Sequence, residues 1–265
     1  MQNLRVSIVQ GATVWHDPEA NRGYYGGLIA PLTGRTDLVV LPETFTSGFS
    51  NDAIDRAEDM RGPTVAWMRE QAAALDAAVT GSVQLRDGDG VYNRMLWATP
   101  DGALQHYDKR HLFRYANEHK RYAAGRERLT VEWKGWRINP QVCYDLRFPV
   151  FCRNRYDVER PGDLDFDLQL FVANWPAARA YAWKTLLRAR AIENLCFVVG
   201  VNRVGVDGNG IAYSGDSAAL DCLGQPLSEC TDAEQVTTTT LSAADLAAHR
   251  ERFPAMLDAD RFELR

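Results

Sequence analysis

The chain has 265 residues, 46% hydrophobic and 25% charged, which is enough to bury a large core at the upper size of one domain. A net charge of −5 lacks the Lys and Arg excess of a general nucleic-acid binder, so small-molecule chemistry is expected. The start, MQNLRVSIVQG, has no apolar core of signal-peptide length, and no apolar run nears the roughly 18 residues of a membrane span; a cytoplasmic protein without membrane contact is expected.

In chain order, Arg5 to Val9 and Asp37 to Leu41 read as strands, with a helix from Pro18 to Leu32 between them, a βαβ opening. A second helix is predicted over Thr64 to Ala78, then a strand over Val79 to Leu85 that turns at Asp87-Gly88-Asp89-Gly90 into Val91 to Thr99. That turn lacks the later ligands of an EF-hand loop, so it predicts a hairpin and not a calcium site. Leu104 to Asp108 follows as a strand with Lys109 at its exit. Trp136 to Val142 alternates into Cys143, and Pro149 to Asn154 can start a helix. Leu168 to Ala173 and Phe197 to Val201 are apolar strands flanking a helix over Tyr181 to Asn194. After a turn at Asp207 to Gly210 come strands near Ser217 to Asp221 and over Gln235 to Leu241, then a helix from Ser242. No repeat or linker divides the chain, so residues 1–265 are read as one domain with 251–265 as a C-terminal arm.

The five cysteines, 143, 152, 196, 222 and 230, form no CxxC pair, which predicts reduced thiols and neither disulfides nor a metal site. The glycines near 205 to 210 lack dinucleotide-site spacing, so no nucleotide cofactor is indicated. Three separated segments carry groups that suit one reaction: LVVLPETF with Glu43, HYDKRHLF with Lys109, and INPQVCYDLRFP with Cys143. A thiol attacks an amide as thiolate, and an unperturbed pKa near 8.5 leaves little thiolate at neutral pH, so a base and a cation must help it. Taken singly, Glu43 and Lys109 also read as surface charges and Cys143 as a core thiol.

With their flanks, order and spacing, these segments resemble the nitrilase or carbon–nitrogen hydrolase superfamily, whose Glu-Lys-Cys triad matches Glu43, Lys109 and Cys143. The match extends through Asn174-Trp175-Pro176, WKTLLRARAIENLCFVVGVNRVG and Ser214-Gly215-Asp216-Ser217. The resemblance implies an α/β fold, a four-layer α-β-β-α sandwich that pairs through a helical face into a homodimer or higher homo-oligomer. It implies that Cys143 forms a thioester, Glu43 shuttles protons, and Lys109 with the backbone N–H of Tyr144 holds the oxyanion, with no cofactor. Glu118, in RYANEHKRYAAG, matches a further family glutamate near the lysine; the alternative is a surface carboxylate pairing with Lys120 or Arg121.

Cys143-Tyr144-Asp145-Leu146-Arg147 is closer to the amidase branch than to nitrilases, which follow the cysteine with Trp-Glu, and HLFRYANEHKRYAAG resembles the omega-amidase group. The substrate implied is a 2-oxo dicarboxylate monoamide, 2-oxoglutaramate or 2-oxosuccinamate, cleaved to 2-oxo acid and ammonia. Its carboxylate needs a cation; Arg147 is a candidate, alternatively a structural partner of Asp145. Trp175 is a candidate wall of the acyl pocket. Other readings are an aliphatic amidase, nitrilase or N-carbamoyl hydrolase, a Cys-His hydrolase using His111 or His119, and a non-enzymatic binder on this fold.

Overall fold

A computed structural model of the chain describes residues 1–156 and 164–263. Its first sheet is built from β1 (Leu4–Gln10), β2 (Leu38–Val40), β3 (Glu58–Asp59), β4 (Ala78–Asp87), β5 (Gly90–Ala98) and β6 (Leu104–Asp108). The second takes β7 (Val131–Trp133), β8 (Trp136–Val142), β9 (Leu168–Ala173) and β10 (Phe197–Asn202). A small ribbon of β11 (Val204–Val206) and β12 (Ala212–Ser214) follows; β13 (Ala218–Leu220) and β14 (Pro226–Glu229) then extend the second sheet, and β15 (Gln235–Leu241) returns to the first. The orders are β15-β1-β2-β4-β5-β6, with β3 on β4, and β14-β13-β10-β9-β8-β7. In each sheet the central strands, β1-β2-β4 and β8-β9-β10, are parallel. Buried on both faces, they read as nearly unbroken apolar runs.

The helices start and stop on local chemistry. Asp17 caps α1 (Pro18–Ile29) by accepting from the Ala20 N–H, with Pro18 at its first position. Pro63 likewise opens α2 (Pro63–Leu75), which ends on Asp76 in the left-handed conformation. The helix expected over Pro149 to Asn154 is one turn, α3 (Pro149–Cys152). Leu195, also left-handed, closes α4 (Ala180–Asn194), and Ser242 caps α5 (Ala243–Arg252). The last helix therefore runs into the expected arm, which continues as a short 3₁₀ turn over Ala255–Asp258; residues 264 and 265 lie outside the described chain.

Three apolar clusters separate four layers. Val9, Val39, Leu41 and Val79 pack outward onto Ile29, Val65 and Met68 of α1 and α2. Phe171, Ala173 and Val198 pack onto Trp183, Leu187 and Ala191 of α4. Between the sheets, Ile8, Val40, Trp97 and Tyr107 meet Val142, Leu170, Val172 and Val201. This is the α-β-β-α sandwich, and Glu43, Cys143 and Asn174 all follow the C-terminal ends of parallel strands, Glu43 in the first sheet and Cys143 and Asn174 in the second, where α/β sites gather. Among the described residues no helix is long and apolar enough to cross a membrane.

Candidate active site

Lys109 leaves β6 because the strand register holds its N–H on the Asn93 carbonyl at 3.0 Å, while its own carbonyl accepts from the Gly125 N–H at 2.9 Å. Only glycine fits there, since a Cβ on residue 125 would lie 2.0 Å from the Asp108 carbonyl oxygen. The Lys109 ammonium, 1% exposed, donates to Glu43 Oε1 at 2.9 Å and to Glu118 Oε1 at 3.1 Å. Glu118 is therefore no surface carboxylate; its remaining oxygen accepts from the Phe113 N–H, and Arg121 pairs with Asp55 instead.

Glu43 is gripped from both sheets. Asn93, from β5, donates to Oε1 at 2.8 Å and is itself held by the Ser82 hydroxyl. The Asn174 N–H, just past β9, donates to Oε2 at 2.7 Å, and the Asn174 side chain donates to the Glu43 carbonyl at 2.7 Å and to Thr44 Oγ1 at 3.0 Å. Those two acceptors fix which way the Asn174 amide faces. Its Oδ1 is buried without a hydrogen-bond partner among the described residues.

Cys143 sits in the left-handed region, φ 46°, where β8 turns into a 3₁₀ segment, Cys143–Arg147. For a residue with a Cβ this conformation costs of order 1–3 kcal/mol and is typical of residues presented at functional sites. The turn is pinned by Asp145, whose carboxylate accepts from the Val142 N–H, the Tyr107 hydroxyl and the His111 N–H. Backbone N–H groups at the start of such a turn, Tyr144 among them, have no partner inside it. Asp145 also meets His111 Nδ1 at 2.7 Å, and the His111 ring stacks on Phe148, so this histidine is committed to structure.

Glu43, Lys109, Cys143, Tyr144, Arg147, Asn174 and Trp175 all line one cavity of about 320 Å³, and neither His111 nor His119 does. Lys109 does favour the Cys143 thiolate, as the sequence implies, but it is outweighed. Burial, and then Glu43, push the Cys143 thiol well above its ordinary pKa, outweighing Lys109. Burial would lower Lys109, but Glu118 and Glu43 hold it well above the lysine range, and burial raises Glu118 against the pull of Lys109. Cys143 thus rests as a neutral thiol beside a lysine shared between two carboxylates.

The expected Asp145–Arg147 ion pair does not form: Asp145 is spent as described, and Arg147 lies over the Trp175 ring at 4.8 Å. Trp175 both packs, 4% exposed against Trp183, and walls the cavity. Sequence reasoning missed Asn93, Arg179 and the aromatic walls Phe49, Phe113 and Tyr213. Asn93 had one legible signal, an amide inside the strand pattern Val91 to Leu96.

Residues 5–251 match the carbon–nitrogen hydrolase family, and the chain belongs to that family. It is 49% identical over 266 residues to an omega-amidase of Yersinia enterocolitica, covering 100% of each chain. It is 33% identical over 257 residues to the 2-oxoglutaramate amidase of Bacillus subtilis, covering 96% of each. A crystal structure of a CN-hydrolase superfamily protein from Xanthomonas campestris, carrying an arsenic adduct in its active site, superposes with TM-score 0.99 at 77% identity over 100% of both chains.

Proposed function

We propose that the chain is an omega-amidase: it hydrolyses the terminal amide of a 2-oxo dicarboxylate monoamide, 2-oxoglutaramate or its four-carbon homologue, to the 2-oxo acid and ammonia. The observation that carries this reading is a thiol, a carboxylate and a lysine converging on one cavity that also presents guanidinium groups. Full-length similarity to proteins named omega-amidase and 2-oxoglutaramate amidase supports the substrate class.

Because the Cys143 thiol rests protonated, Glu43 removes its proton as the sulfur attacks the amide carbon, so deprotonation and attack are coupled. Lys109 and the Tyr144 N–H receive the developing oxyanion; one such donor is worth about 3 kcal/mol of barrier. Glu43 then delivers the proton to departing ammonia, leaving a thioester, and takes a proton from the water that opens it. Asn174, which lines the same cavity, holds Glu43 in place through its N–H and its side-chain amide. Arg147 faces the substrate carboxylate. Glu118 keeps Lys109 charged and aimed.

Five free thiols suit a reducing cytoplasm. Exposed Phe253 and Leu257 suit an arm that packs on a second copy of this single domain. The test is ammonia release from 2-oxoglutaramate; faster turnover of an aliphatic nitrile or an N-carbamoyl amino acid rejects the proposal. A second comparison separates the base: if His111→Ala abolishes acylation of Cys143 while Glu43→Gln leaves it intact, Glu43 is not the base.

A further inference from the structure

We infer that Arg179 is a second anion-binding residue of the cavity, gripping the 2-oxo acid end of the substrate together with Arg147; this deepens, and rests on, the omega-amidase reading above. Among the described residues three cations line the cavity, Lys109, Arg147 and Arg179. Lys109 is spent on Glu43 and Glu118, so the reacting end holds no surplus positive charge and would repel a second carboxylate. Among the described lining residues the attraction for an anionic substrate comes from the two arginines.

Neither guanidinium has a carboxylate partner among the described residues, and both are held by aromatic faces instead. Arg147 lies over Trp175 at 4.8 Å and Arg179 over Phe113 at 5.6 Å. Stacking occupies the flat face of a guanidinium and leaves its N–H edge free to fork onto oxygens. The two are coupled through Trp175, whose ring carries Arg147 and whose indole N–H donates to the Arg179 carbonyl at 2.9 Å. Arg179 ends a 3₁₀ turn, Ala177–Arg179, directly before α4, so its backbone is set by the start of a long helix.

The ligand chemistry also asks for more than one fork. A 2-oxo acid presents two carboxylate oxygens and a neighbouring ketone oxygen, more acceptor sites than one bidentate guanidinium fills. A pair of guanidinium groups in an otherwise mainly aromatic wall meets that demand while the amide points at Cys143.

The test uses the full-length enzyme with Arg179→Gln, Arg179→Lys and Arg147→Gln, assayed for ammonia release from 2-oxoglutaramate and from the uncharged pentanamide. Inhibition by the product 2-oxoglutarate is measured in parallel, as a readout of anion binding that needs no turnover. Arg179→Gln is expected to raise KM for 2-oxoglutaramate and Ki for 2-oxoglutarate about 10- to 100-fold. The loss should fall on KM more than kcat, exceed the loss on pentanamide at least about tenfold, and be partly recovered in Arg179→Lys. An equal loss on both amides, or unmoved KM and Ki, overturns the role of Arg179 alone. A wild-type enzyme that cleaves pentanamide as well as 2-oxoglutaramate removes the anionic-amide reading itself.

Discussion

Lys109→Met would leave two carboxylates, Glu43 and Glu118, fully buried with their shared cation gone. Asn93 can still donate to both, at 2.8 and 3.5 Å, but it carries no charge. Removing one partner of a buried ion pair typically costs about 3–5 kcal/mol, because the survivor stays desolvated and uncompensated. At about 2–4 °C per kcal/mol for a chain near this size, Tm should fall by about 6–20 °C. The deficit should depend on pH in a defined sense. Burial already raises Glu118, with Lys109 the main pull the other way, so without Lys109 its folded-state pKa rises further above the unfolded value near 4.3. A raised folded pKa contributes stability that is present below the unfolded value and is lost as pH climbs through the folded one, so the gap to wild type should widen from pH 4.5 to pH 8. Adding Glu118→Gln to the variant removes one orphaned charge and should narrow the gap at pH 8 without restoring activity. Thermal unfolding followed by circular dichroism across that range checks this. A pH-independent deficit, or a double variant less stable than Lys109→Met at pH 8, would refute the shared-lysine account.

Three further outcomes are expected. Since burial and Glu43 raise the Cys143 pKa, iodoacetamide should label the free enzyme's Cys143 more slowly than free cysteine at pH 7, with a rate still climbing above pH 8.5; peptide mass spectrometry reads it, and a plateau below pH 7 would mean a resting thiolate. Gly125→Ala drives a methyl into the Asp108 carbonyl and should destabilise by about 1–3 kcal/mol in urea unfolding while lowering kcat through Lys109; wild-type stability would show that the loop yields freely. A chain truncated after Arg250 loses Phe253 and Leu257, 58% and 59% exposed, and should sediment as a smaller species; an unchanged oligomer rules out the arm as the contact.

Where the apolar pattern is long, sequence and structure agree to the residue: Leu104–Asp108, Trp136–Val142, Leu168–Ala173 and Gln235–Leu241 begin and end as read. Val131–Trp133, the 204–214 ribbon and Pro226–Glu229 escaped, because three or four residues carry no measurable period and exist as strands only through the neighbours they pair with. The site followed the same divide. Glu43, Lys109, Cys143 and Asn174 were legible from their local flanks, whereas Asn93, which acts on a carboxylate 50 positions away, and the bond from Asn174 to that same carboxylate 131 positions away were not. Asp145 and Arg147 misled for a related reason, since proximity in the chain says little about direction once a tight turn separates the side chains.

The Asn174 contacts join Glu43, which follows the first sheet, to the end of a strand in the second, while Cys143 and Lys109 also come one from each sheet. Cys143 and Glu43, the proposed nucleophile and base, thus stand on opposite sides of the seam filled by Val40, Val142, Leu170 and Val172, and their separation is set by the thickness of that seam. The apolar filling works as a spacer for the chemistry. A methylene removed or added there shifts one half of the reaction centre against the other, so turnover should register such a change before global unfolding does.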